Sequence, residues 1–172
     1  MKLLLENWRE YIKEEPTPDV MYHTTLQPRN AEAIEANGLR VGSKEVGFSM
    51  ASDWSNDVYG VRPVYLSMNP SEYGEGDEYE GITFEVDFSG LDLYPDLPTL
   101  VDYGAYVEER EGMYWEHGEV PPEMEGVVDG DGFISFDDLL TPDSAAAAAV
   151  IKLTDTAVSL EDIDPERLRR LQ

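Results

Sequence analysis

Val20-Met21-Tyr22-His23-Thr24-Thr25, then Leu26-Gln27-Pro28-Arg29-Asn30, then Ala31-Glu32-Ala33-Ile34-Glu35-Ala36-Asn37-Gly38-Leu39: this is the stretch on which the fold turns. Its first six residues are short, apolar and rich in strand formers, which predicts a β-strand. Pro28-Arg29-Asn30 supplies a turn, with Asn30 as the N-cap of a helix. Over residues 31–37 the small or apolar Ala33, Ile34 and Ala36 fit that helix, and Gly38 is placed to end it in a left-handed conformation. The unit reads strand, loop, short helix, glycine stop.

Working outward toward the C-terminus, residues 46–50 fit a second short strand, and Asp53 fits the cap of a one- or two-turn helix carrying Trp54, Val58 and Tyr59. Residues 62–68 read as a strand stopped by Asn69-Pro70. Ile82, Phe84, Val86 and Phe88 alternate with Thr83, Glu85 and Asp87, the clearest strand pattern in the chain. Residues 90–98 look irregular, 100–112 helical, and Pro121-Pro122 breaks the next stretch. The alanine run at 144–150 permits helix or strand and is read as a late strand; residues 166–171 read as a short basic helix. In the other direction, Leu4, Leu5, Trp8, Tyr11 and Ile12 at helical spacing predict an amphipathic leader helix over 1–14, and Pro16 and Pro18 make 15–19 an extended tether. One α+β domain is expected over 20–172.

A chain of 172 residues, 41% hydrophobic and 10% aromatic, has enough packing material for a core without disulfides. The absence of cysteine excludes thiolate chemistry and cysteine-based zinc sites, and two histidines alone argue against a structural zinc site. No apolar run is long enough to span a bilayer, so neither a membrane anchor nor a secretory signal is expected. With 37 acidic and 12 basic residues the formal charge is −25, which opposes binding to nucleic-acid phosphates or anionic lipid. Such acidity also fits a mimic of DNA that occupies a nucleic-acid-binding protein. Because the acids are spread through turns and helices instead of forming one run, solubility is the favoured explanation.

Tyr22-His23-Thr24-Thr25, the helix end Ala36-Asn37-Gly38-Leu39, Val64-Tyr65-Leu66-Ser67 and Phe84-Glu85-Val86-Asp87, in that order, resemble the ADP-ribosyltransferase-like superfamily over roughly residues 20–165. The resemblance implies a split, twisted, antiparallel-rich β core with flanking short helices, around a cleft that holds NAD as a substrate. In the His-Tyr-Glu class of that family a histidine, a tyrosine and a glutamate come from three separate strands. His23 matches the first-strand histidine that hydrogen-bonds a ribose, an imidazole suiting this because one nitrogen donates while the other accepts. Thr24 or Thr25 would hold the nicotinamide end. Tyr65 matches the second-strand tyrosine, Tyr73 is a further stacking candidate, and Ser67 would line the same site. Arg29, Arg40 and Arg62 flank the strands, and Arg40 is the choice for the pyrophosphate.

The chain departs from the pattern at the third position, where the strand expected at 145–150 offers alanine in place of glutamate. Alanine can neither steady an oxocarbenium-like centre nor accept a proton, so transferase chemistry needs another carboxylate in the cleft, Asp143 or Asp155. The resemblance thus implies either a transferase acting on a host macromolecule, a host protein being one candidate acceptor, or the same fold as a binding module without catalysis. No direct nucleic-acid or membrane contact is expected.

Three local motifs compete for attention. Asp129-Gly130-Asp131-Gly132-Phe133-Ile134 resembles the middle of an EF-hand loop. With Gly132 at loop position six, however, Val127 takes the first ligand position and Asp138 replaces the bidentate glutamate, so a plain turn is expected. His117, between Glu116 and Glu119, fits a solvated loop histidine better than a base. Residues 1–14 look like the capsid-targeting peptides of internal head proteins in large tailed phages, with Ile12-Lys13-Glu14 matching the cleavage signal ahead of the tether. That resemblance implies packaging in a virion and delivery to the host cytoplasm; an amphipathic helix that docks on the domain fits the same residues.

Overall fold

A computed structural model describes residues 20–42, 53–70, 81–108, 111–115 and 119–171. The leader helix expected over 1–14, the tether at 15–19, the strand at 46–50, Tyr73 and His117 lie outside the described residues.

The opening strand, β1, spans Val20–Thr25. The helix after it, α1, spans Pro28–Asn37 and begins earlier than expected. Gln27, in an extended conformation, is its N-cap, and Pro28 occupies the first turn, where a missing N–H and a fixed φ are harmless. Asn30 therefore lies inside the helix. Gly38 has the expected positive φ, 79°, but its ψ of −175° is extended, so the helix does not end in a left-handed turn. That combination is open essentially to glycine alone. It sends the chain directly into an isolated antiparallel bridge, in which the N–H of Leu39 donates to the Ile163 carbonyl at 2.9 Å and that of Ile163 to Leu39 at 2.8 Å.

The remaining elements are α2 (Asp53–Tyr59), β2 (Val64–Ser67), β3 (Ile82–Asp87), β4 (Leu93–Pro95), α3 (Leu97–Asp102), β5 (Ala105–Glu108), β6 (Gly112–Trp115), β7 (Phe133–Ser135), α4 (Phe136–Leu139), α5 (Ala145–Thr154), β8 (Thr156–Ser159) and β9 (Leu168–Arg170), with 3-10 turns at Pro122–Met124 and Pro165–Arg167. Further expectations are corrected. The stretch read as irregular at 90–98 holds β4, which is a strand because it pairs with β8, and the first residues of α3. The helix read at 100–112 is the end of α3 followed by the β5–β6 hairpin, because Gly104, at φ 111°, breaks the helix and Ala105, Tyr106 and Val107 enter a sheet. The alanine run is helix, not strand: the Ser144 hydroxyl caps α5 by accepting the Ala147 N–H at 2.9 Å, and alanine is the best helix former. The late strand is β8, which begins after Asp155 turns the chain in a left-handed conformation. At 166–171 a 3-10 turn leads into β9, whose pairing with β3 overrides local helix propensity.

The fold is α+β. A six-stranded sheet, ordered β4-β8-β2-β1-β3-β9, is accompanied by a three-stranded sheet, β5-β6-β7, and every pairing is antiparallel. One face of the large sheet buries Met21, Val64, Leu66, Phe84, Val86 and Ala157 against Ala31 and Ile34 of α1, with Leu39 and Ile163 closing the layer. The other face presents Val158 and the partly buried Tyr65 to a second core, filled by Leu97, Leu100, Met113, Met124, Ile134 and Leu139. Burial of side chains this size stabilises each core by about 1.5–3 kcal/mol per residue before chain entropy is set against it.

Candidate functional site at the join of two strands

The large sheet is least continuous where β1 meets β2. Every residue of β1 is in register with β3, from Val20↔Asp87 to Thr25↔Ile82, and every residue of β2 with β8, from Val64↔Ser159 to Ser67↔Thr156. Between β1 and β2 there is one register pair, Tyr22↔Ser67. The ladders on either side fix which side chains share a face. Tyr22, Thr24, Tyr65, Ser67, Thr156 and Val158 lie on one side; Met21, His23, Thr25, Leu66 and Ala157 lie on the other.

The sheet also changes character at this join. On the Tyr65 side, Tyr94, Val158 and Tyr65 are covered by the second core, whereas beyond the join the same face carries the half-buried Tyr22, Thr24, Thr83 and Glu85 and the exposed Arg169. Thr24 and Thr83 link their hydroxyls at 2.9 Å, and Arg169 pairs with the Glu85 carboxylate.

His23 and Tyr65 meet here, though not through ring and phenol. The Nδ1 of His23 lies 3.0 Å from the backbone carbonyl oxygen of Tyr65, while the phenol ring packs on the second core from the opposite face. A carbonyl only accepts, so Nδ1 carries the proton in this contact. Thr25 is buried, at 6% exposure, and its hydroxyl accepts the Gln27 N–H at 3.4 Å. Ser67 stands on the Tyr65 face, its Oγ accepting the Asn69 N–H at 3.1 Å.

Arg40 lies elsewhere, after α1. Its guanidinium donates to Asp162 at 3.0 Å and lies 3.8 Å from Asp164, tying the α1 exit to the segment before β9. The backbone N–H of Val41 donates to the same Asp162 carboxylate at 2.9 Å. That bond holds the Asp162 carboxyl below the usual range; slight burial opposes it and Arg40 assists. Arg29 is engaged by the Gln27 side chain at 2.8 Å.

Of the two carboxylates considered for the third position, Asp143 is exposed ahead of α5, and Asp155 is exposed at the entrance to β8. The Asp155 carbonyl accepts the Met68 N–H at 2.8 Å, so it stands beside the end of β2. The strand itself, Thr156-Ala157-Val158-Ser159, contains no acid. The EF-hand-like segment forms a turn in which the Asp129 carboxylate accepts the N–H groups of Asp131 and Phe133, each at 2.9 Å. Among the described residues no group of three or more His, Asp or Glu is disposed to hold a metal ion, and no helix is long and apolar enough to cross a membrane.

Sequence reasoning passed over a buried polar knot beside β8. Asp96, 5% exposed, caps α3: its Oδ1 accepts the Thr99 N–H at 3.1 Å and its Oδ2 the Thr99 hydroxyl at 2.8 Å. Burial raises its pKa against the pull of hydrogen bonds from Thr99 and Thr156, with Asp102 adding repulsion. The Tyr59 hydroxyl straddles it, donating to Pro95 at 2.6 Å and accepting from Leu97 at 3.0 Å, and burial pushes that phenol's pKa far up. The readable signal was an Asp three residues before a Thr with Pro98 in the first turn, a helix-start pattern.

Comparison of the chain with family models, with curated proteins and with solved structures gave no match.

Proposed function

We propose that this is an ADP-ribosyltransferase-like domain that binds NAD at the join of β1 and β2. The observation that supports this reading most is the strand order β8-β2-β1, with a single register pair between β1 and β2. The resemblance calls for a split core in which a first, a second and a late strand contribute to one site, and these three strands are neighbours. The Nδ1 contact with the Tyr65 carbonyl ties His23 to β2, which suits a resemblance that places a histidine and a tyrosine from neighbouring strands at one site. The His23 ring and the Thr24, Ser67 and Tyr22 hydroxyls stand on opposite faces of the sheet, so the site assigned to NAD is the His23 side of the join alone.

Catalysis, in this reading, rests on Asp155, the carboxylate at the entrance to β8. The composition of β8 favours a second reading, in which the domain binds NAD without turning it over. Calorimetric titration of the full chain with NAD, together with chromatography for released nicotinamide, separates the two. Binding that weakens in His23→Ala, with nicotinamide release lost in Asp155→Asn at unchanged affinity, is the result expected of the transferase. Binding without release supports the module. Absence of NAD binding by the unsubstituted chain would remove both.

A further inference from the structure

The three-stranded sheet has a buried face and an aromatic one. Ala105, Met113 and Ile134 turn into the second core. On the other side Tyr106, Tyr114 and Phe133 are direct cross-strand neighbours on β5, β6 and β7. The Tyr106 and Tyr114 rings stack with centroids 5.6 Å apart at 23°, and Phe133 continues the row 5.1 Å from Tyr114 at 54°. Gly112 makes room for the row, since a Cβ there would lie 2.5 Å from the Phe133 ring. Tyr106, at the sheet edge, is 38% exposed.

The charge around this platform is one-sided. Between Arg62 and Lys152 the sequence has a single basic residue, Arg110. Glu111 ahead of β6, Asp129 and Asp131 in the turn that feeds β7, and Asp137 after it are all exposed. The ion pairs of Arg40, Arg169 and Arg170, by contrast, are made around α1, β3 and β9.

We infer that the aromatic face of β5-β6-β7 docks an arginine-rich segment of a partner protein. A guanidinium is flat and weakly hydrated, so it stacks on a ring while its N–H edge bonds a carboxylate. A row of rings on strands whose flanking turns carry exposed acids offers both contacts. The overall charge of −25 opposes a polyanionic occupant and draws a cationic one. An ammonium gains the charge attraction but little from stacking, so the surface discriminates arginine from lysine.

The test uses the full chain and a fluorescent peptide of alternating Arg and Gly, with the Lys-Gly peptide alongside, read by anisotropy at physiological ionic strength. The Arg peptide is expected to bind more tightly than the Lys peptide. Tyr106→Ser and Tyr106→Leu should each weaken it about threefold, and a further Tyr114→Ser should bring the loss to about tenfold. Tyr106→Phe should bind as the unsubstituted chain does, and so should Val120→Ser, which alters an exposed apolar residue outside the row. Circular dichroism and thermal melting check that each variant is folded, and the Leu and Phe variants decide the matter if the Ser variants are not. Equal affinity for the two peptides, an unchanged affinity in Tyr106→Leu, or no binding at all would overturn the inference. NAD affinity plays no part in the readout, so this result stands or falls apart from the function proposed above.

Discussion

Substituting Asp96 separates its work as a helix cap from the cost of its charge. In Asp96→Ala the Thr99 N–H and hydroxyl lose their acceptors in a place where the residue is 5% exposed. Loss of the cap costs about 1 kcal/mol, and leaving the partly buried Thr99 donors unpaired adds about 1 kcal/mol, the low end for a buried group, so a loss of about 2 kcal/mol is expected. Asp96→Asn keeps an acceptor for the Thr99 N–H and has no charge to bury. The folded-state pKa of Asp96 is raised, first by burial, so its favourable contribution is complete below the unfolded value of about 3.9 and is lost as pH rises through the folded value. The stability of Asp96→Asn relative to the unsubstituted chain should therefore climb with pH and level off above that folded value. Urea unfolding followed by tryptophan fluorescence, from about pH 4.5 to 8, measures the difference directly. If the deficit of the Asn variant instead grows as pH rises, the carboxylate is needed as an anion and the reasoning from burial is refuted.

Gly38→Ala should destabilise the fold by about 3 kcal/mol, since the backbone there (φ 79°, ψ −175°) excludes other residues and a Cβ would lie 2.1 Å from the Ile163 carbonyl oxygen. A urea midpoint within error of the unsubstituted chain would contradict it. Asp155 also has a left-handed backbone, at φ 53° and ψ 22°, where glycine is the usual occupant. Asp155→Gly should raise stability by about 0.5–1 kcal/mol, measured by the same unfolding, while abolishing nicotinamide release by a transferase. A gain in stability with release intact would assign Asp155 to the helix end alone.

What the sequence disclosed depended on where each segment finds its partners. β1 and β3 were legible because each carries its own pattern: Phe84 and Val86 are buried, while Thr83, Glu85 and Asp87 are not. Their residues keep one register throughout. β9 was not legible, because Leu168–Arg170 is a strand only by virtue of lying along β3. The alanine run suits a core helix or a core strand equally by size, and the decision falls to Ser144 before it and Asp155 after it. At the candidate site, the single-pair join between the strands of His23 and Tyr65 is a matter of register and leaves no mark in composition.

Moving the late strand from the alanine run to β8 changes what the third position means. Tyr22↔Ser67 and Ser67↔Thr156 set Tyr22, Ser67 and Thr156 in one row across β1, β2 and β8, on the face that Tyr65 shares. A carboxylate one residue before Thr156 would, in a regular strand, point to the opposite face. Asp155 is not in a regular strand: its left-handed backbone interrupts the alternation just before β8 begins. Its side chain is thus released from the pleat that sets its neighbours, and it is exposed. Under the function proposed above, a transferase and a silent binding domain would accordingly differ in where this one exposed carboxylate at the entrance to β8 is aimed.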